Sequence, residues 1–146
     1  MRCMAVERVF VDTWAWLVLA NLRDPAFEAV SRLRASAAGQ AGAWVTTDYV
    51  LDETMTRLFA LAPFAGARRF TEGIFEASRR GLVDIEHVNP ERFGRAWRLR
   101  LRYRDKPRIS FTDLTSFVVM RELGLRHALT GDAHFEQVGM GFVTLP

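Results

Sequence analysis

VERVFVDTWAWLVLA, residues 6–20, sets a β-branched and aromatic run, Val6 to Val11, directly before Asp12 and a second apolar run, Trp14 to Ala20, directly after it. The first run has the composition of a short strand and the second reads as a helix, with no Gly, Pro or Asn between them. A strand that opens at once into a helix begins a β-α-β unit, and Asp12 then stands at the strand's carboxyl end. An uncompensated charge between two apolar runs is costly, so Asp12 is more than a turn former.

The same alternation repeats downstream. After Asp24-Pro25, Phe27, Val30 and Leu33 recur at helical spacing until the glycine at position 39. Ala43 to Thr46 reads as a second strand, and Thr47 or Asp48 caps a helix whose apolar face carries Val50, Leu51, Met55 and Leu58, with Glu53 inside it. Pro63 and Gly66 break that pattern, a helix through Phe70, Ile74 and Phe75 ends near Gly81, and Leu82, Val83 and Ile85 mark a third strand. Asn89-Pro90 starts a helix over Glu91 to Tyr103, and Ser110 or Thr112 caps another through Leu114, Phe117, Val118 and Leu123 that Gly124 ends. His127 to Thr130 and Phe142 to Leu145 are further strands, with a turn at Gly131-Asp132.

Strands separated by helices imply right-handed crossovers. The expected fold is therefore α/β, a three-layer α/β/α arrangement with a mainly parallel central sheet, in one domain over residues 1–146. Ligands of such sheets collect beyond the carboxyl ends of the strands. Asp12 and Asp132 each follow a strand, Asp113 begins a helix and Glu53 lies a turn into one, so the four acids are expected to converge on that rim.

Composition narrows the function. The chain has 146 residues, 49% hydrophobic and 25% charged, which is a folded globular composition. Cys3 is the only cysteine, which excludes an intrachain disulfide or a thiolate zinc site and leaves a reducing cytoplasm as the default. The run from Trp14 to Ala20 is far short of a membrane span, and Glu7 and Arg8 interrupt any signal-peptide pattern. The formal net charge is +3, and every basic residue except Lys106 is arginine, whose guanidinium forks onto phosphate oxygens. Carboxylates delivered from separate elements suit Mg²⁺ or Mn²⁺, hard cations that prefer oxygen. Without a cation such a cluster repels itself and is partly protonated.

Four segments, VFVDTW around Asp12, TDYVLDET around Glu53, SFTDLTSF around Asp113 and LTGDAHF around Asp132, resemble in order and context the acidic motifs of PIN-domain ribonucleases. The resemblance runs through the closing VGMGFVTLP, and the length is that of a VapC-type toxin of a type II toxin–antitoxin system. It implies a metal-dependent endoribonuclease that hydrolyses RNA phosphodiester bonds, using Mg²⁺ or Mn²⁺ held by Asp12, Glu53, Asp113 and Asp132, with Asp132 acting through water. It also implies that Thr13, Ser116 and Thr130 steady the acids, although helix capping accounts equally for Thr13 and Ser116. The implied partners are RNA, a small antitoxin and a second copy in a homodimer, with no membrane. Two alternatives stand beside it: a PIN-fold nuclease of RNA processing or of DNA, outside a toxin system, and a non-catalytic RNA-binding module.

Basic residues crowd positions 92–108, and Arg95, Arg98 and Arg102 share a helical face as a candidate RNA surface, with Phe93, Trp97 and Leu101 expected to face the core. A solvated face is the equal competitor. His87, His127 and His134 lack paired metal spacing and read as surface or structural histidines. Ser110 and Ser116 lack a glycine-bounded elbow, which excludes a serine hydrolase of that type. Trp14, Trp16, Phe59, Phe64, Phe70 and Phe75 read mostly as core, with some apolar surface left open between Leu58 and Phe75.

Overall fold

In the computed structural model, which describes residues 7–37 and 39–146, the chain after the first acid alternates as its patterning requires. The elements are β1 (Val9–Val11), α1 (Thr13–Leu19), α2 (Phe27–Ser36), β2 (Trp44–Thr47), α3 (Asp48–Leu61), α4 (Phe64–Arg79), β3 (Val83–Glu86), α5 (Pro90–Arg102), α6 (Phe111–Leu123), β4 (His127–Leu129), α7 (His134–Gln137) and β5 (Val143–Leu145). Cys3 and Val6 lie outside the described residues.

The five strands are all parallel, in the order β3-β2-β1-β4-β5. The chain moves outward from β1 to β3, then returns to lay β4 on the other side of β1. Right-handed crossovers in these two directions put α1 to α4 on one face and α5 to α7 on the other, which is the expected three-layer architecture. The reversal makes the gap between β1 and β4 the switch point where ligands of open parallel sheets settle. Their register pairs Val11 with Leu129, so the next residues, Asp12 and Thr130, emerge side by side.

Local signals set the helix ends. The Thr47 hydroxyl accepts the Val50 N–H and caps α3, so Asp48 is the first helical residue rather than the cap. Ser110, not Thr112, caps α6 by accepting the Asp113 N–H at 3.0 Å, and Asn89 caps α5 ahead of Pro90. Gly124 ends α6 in the left-handed region, at φ 68°. Gly66 does not break a helix: α4 runs through it, because the stop at Ala62-Pro63 already separates α3 from α4.

The core floor beneath the switch point is aromatic. Phe117 of α6 is fully buried, edge-on to Phe135 of α7 at 4.9 Å between ring centroids, and stacked obliquely on Phe142 at 5.7 Å. Phe10 of β1 closes the group against Phe135. On the opposite face Trp16 packs edge-on to Trp44 and donates its indole N–H to Thr46.

Helix α5 departs from expectation. Phe93, Trp97 and Leu101 are about half exposed, and Ala96 is the residue of α5 that is fully buried. The small Ala96 lets α5 close on α6, and Arg92 turns inward with it, its guanidinium bridging Glu86 and Glu122. That paired arginine is satisfied at the interface, which removes the reason for the aromatic face to turn in. Phe59, Phe64 and Phe75 are likewise exposed rather than core, at 36%, 70% and 37%.

Phe117→Ala is expected to cost about 3–5 kcal/mol of unfolding free energy. Trp97→Ala, on the open face of α5, is expected to cost less than about 1 kcal/mol. Urea unfolding monitored by circular dichroism checks both, and a Trp97→Ala loss as large as that of Phe117→Ala contradicts the orientation of α5.

Candidate active site

Asp12, Glu53, Asp113 and Asp132 all line one cleft of about 430 Å³ at the carboxyl ends of β1 and β4. Asp12 comes from the end of β1, Asp132 from the loop after β4, Asp113 from the first turn of α6 and Glu53 from the second turn of α3. The structure thus brings together acids that lie up to 120 residues apart in the chain, from 12 to 132.

Thr130 organises the rim. Its hydroxyl donates to Asp12 Oδ2 at 2.8 Å and accepts the Asp132 N–H at 3.0 Å, so one side chain fixes one acid and orients the loop bearing another. Asp132 Oδ1 in turn accepts the His134 N–H at 2.8 Å, tightening the turn into α7. Thr13 does not touch an acid through its hydroxyl: it donates to the Val50 carbonyl, tying α1 to the helix that carries Glu53. Ser116 donates to the Thr112 carbonyl inside α6.

Burial and mutual repulsion set the electrostatics. Asp12 is 5% exposed, and desolvation lifts its pKa to about 6 against the lowering effect of the Thr130 hydroxyl and the Thr13 N–H. Asp113, 6% exposed, is pushed up to about 8, first by burial and then by the charges of Asp12 and Asp132, with a hydrogen bond to Asp132 that favours its protonated form. These shifts mark a cluster of acids whose charge the neighbouring side chains do not fully neutralise.

The donor set fits a divalent cation. Asp113, Asp132 and His134 each offer a ligand atom, all within 4.8 Å of one another. The His134 Nδ1 is buried without a hydrogen-bond partner and lies 3.1 Å from Asp132 and 3.7 Å from Asp113. His134, read from sequence as structural, therefore stands within the acidic cluster. Glu53 is more open than Asp12 and Asp113, its side chain 39% exposed and 3.7 Å from Arg57, and it faces the cluster from the α3 side of the cleft.

Arg57 and Arg108 line the cleft, and so does Trp14. From sequence Trp14 reads mostly as core, Arg108 is only the end of the basic block at positions 92–108, and Arg57 is not singled out. The only available signal for Arg57 was its four-residue spacing from Glu53. Arg95, Arg98 and Arg102 line a separate groove with Val118 and Glu122 and share no wall with the acids. Arg95 is paired there with Glu122.

Folding raises the pKa of Asp12 and Asp113, so between about pH 4 and 8 the folded protein holds more protons than the unfolded chain. Stability contributed by these groups is complete at low pH and is lost as pH rises through that window. The metal-free protein is expected to melt roughly 3–8 °C lower at pH 8.5 than at pH 5. Saturating Mn²⁺ should recover most of the difference, and Asp113→Asn should flatten it. Differential scanning fluorimetry in EDTA and in Mn²⁺ reads all three, and a wild-type midpoint that rises with pH in EDTA opposes this account.

The sequence pattern of the PIN domain family matches residues 9–140. The chain is 33% identical over 136 residues to the 23S rRNA-specific endonuclease VapC20 of Mycobacterium tuberculosis, covering 90% of this chain and 94% of that protein. The crystal structure of M. tuberculosis VapC20, a Sarcin-Ricin loop cleaving toxin, superposes with a TM-score of 0.76 over 92% of this chain and 96% of the other, again at 33% identity. VapBC-1 from nontypeable Haemophilus influenzae, at 16% identity, shares the fold with a TM-score of 0.62 over 93% of this chain and 95% of that one. Family pattern, sequence identity and fold agree: this chain belongs to the PIN-domain ribonucleases, among the VapC-type toxins.

Proposed function

We propose that the chain is a divalent-metal-dependent endoribonuclease, the toxin of a toxin–antitoxin pair, whose metal is Mg²⁺ or Mn²⁺ and whose catalytic centre is the cleft holding Asp12, Glu53, Asp113 and Asp132. The observation that carries this reading is the meeting of all four acids with His134 at the β1/β4 switch point.

Asp113, Asp132 and His134 are the side chains placed to hold an ion, with Asp12 and Glu53 supplying further negative charge to the cleft. A bound Mg²⁺ or Mn²⁺ supplies Lewis acidity toward a phosphodiester oxygen and lowers the pKa of water. Thr130 keeps Asp12 directed into the cleft, and Ser110 keeps Asp113 on the first turn of α6, where the positive end of the helix dipole favours a negative side chain. Arg57 and Arg108 offer charge to phosphates on either side of the scissile one, since an arginine fork matches two phosphate oxygens. Hydrolysis adds water across one P–O bond, and the departing ribose oxygen takes the proton.

The 33% identity to a 23S rRNA-specific endonuclease supports ribosomal RNA as substrate. An exposed apolar surface at Phe59, Leu61 and Phe64 supports protein partners, an antitoxin and a second copy. Arg95, Arg98 and Arg102 remain a candidate RNA surface outside the catalytic cleft.

Purified protein with Mn²⁺ is expected to cut 23S rRNA, and Asp12→Asn, Asp113→Asn and Asp132→Asn are each expected to lose at least about a hundredfold in kcat. Cleavage unchanged in EDTA, or full activity in Asp113→Asn, rejects the assignment. Arg57→Ala and Arg108→Ala should act differently, raising KM about tenfold and each lowering the slope of log affinity against log salt by about one. Gel-resolved cleavage at a series of KCl concentrations measures these quantities.

A further inference from the structure

Trp14 and Trp16 stand two residues apart on α1 and have different environments. Trp16 is a core residue, 4% exposed and hydrogen-bonded to Thr46. Trp14 is only partly buried and lines the catalytic cleft beside Asp12 and Asp132.

The loop bearing Asp132 makes room for it. A Cβ at position 131 would lie 2.7 Å from the Trp14 Nε1 and 2.8 Å from its Cε2, closer than real side chains approach. Gly131 is not among the glycines with positive φ, so its conformation does not demand glycine; the indole does. The chain omits a side chain immediately before an acid of the site and seats a large aromatic ring there.

Charge explains why an aromatic suits this place. A cation beside the acids would pair with them, as Arg57 does with Glu53, and compete with the divalent ion. An indole adds affinity for nucleic acid without competing for the carboxylates. Unpaired RNA bases stack on such rings largely irrespective of sequence.

We propose that Trp14 is the platform on which an unpaired base next to the scissile phosphate stacks, a positioning residue that selects looped or single-stranded RNA. The proposal rests on the ribonuclease reading of the same cleft.

The test uses fluorescein-labelled RNA hairpins, with binding followed by anisotropy in Ca²⁺ and cleavage followed in Mn²⁺. Trp14→Leu is expected to weaken binding and raise KM about tenfold with kcat within about threefold of wild type, whereas Trp14→Phe stays within about threefold on both. Gly131→Ala, which displaces the ring, should reproduce the loss of binding. Hairpins with one loop base replaced by an abasic site supply the control: at the stacked position wild type falls to the affinity of Trp14→Leu, and the variant loses nothing more. Unchanged binding in Trp14→Leu, or an equal loss on every abasic hairpin, overturns the proposal and marks Trp14 as a structural wedge. RNA that is bound through Trp14 but not cut leaves the stacking role standing and removes the ribonuclease reading. RNA that is cut with no dependence on Trp14 removes the stacking role alone, and absence of RNA binding removes both.

Discussion

Carboxyl groups pressed together in a partly dry cleft repel one another, and the rest of this molecule is arranged to hold them there. Two unit charges about 4 Å apart at an effective dielectric of 20 interact by about 4 kcal/mol, a large share of the 5–15 kcal/mol that typically separates folded from unfolded domains. Burial first, and neighbouring carboxylates after it, raise the pKa of Asp12 and Asp113, so the free protein relieves this strain by holding protons. What prevents the acids from moving apart is the structure beneath them. Asp12 is continuous with the central strand β1, Asp113 with the helix whose Phe117 sits in the aromatic floor, and Asp132 with the loop that Thr130 anchors.

The sheet order makes this convergence possible. With β1 flanked by β2 on one side and β4 on the other, residues distant in sequence leave the sheet at neighbouring points. The pairing of Val11 with Leu129 sets Asp12 against Thr130, and a one-residue change of parallel register would separate them by a strand step of about 3.3 Å. The hydrogen bond of 2.8 Å between them is therefore a consequence of register as much as of residue type.

Three of the acids were readable from sequence because each adjoins an element end with its own local signal. Asp12 ends an apolar run, Asp132 follows a glycine after a strand, and Asp113 stands three residues after the serine that caps its helix. Order and context then joined them to a family whose fold the structure reproduces. What could not be read depends on which face of one element meets another. His134, Arg57, Arg108 and Trp14 reach the cleft through helix orientation and loop path, and the four-residue step from Glu53 to Arg57 does not by itself place either in a cleft. The same limit explains α5, where periodicity alone favoured burying Phe93, Trp97 and Leu101. The fit of Ala96 against α6 and the double pairing of Arg92 turned the helix the other way. Glu53 was correctly placed on α3, but its half-open setting follows from lying at the mouth of the cleft rather than beneath it.

The arrangement of charge also links the two ligands proposed for this cleft. Buried acids and the exposed Arg57 and Arg108 line the same cleft, so an RNA phosphate entering it without a cation meets repulsion from the acids that have not taken up a proton along with attraction from the arginines. A divalent ion removes most of that repulsion. Arg57 adds a second connection: its contact with Glu53, at 3.7 Å between half-exposed groups, is weak enough to exchange for a phosphate. Glu53, released from the arginine, would then hold its charge unshared at the mouth of the cleft, free to help hold a divalent ion. An ion and an RNA phosphate held as proposed would each improve the site for the other, and linkage requires the two effects to be equal in free energy. A cleft built this way would disfavour RNA when the ion is missing and hold the ion more firmly once RNA arrives, which would place selection for metal and for substrate in one set of charges.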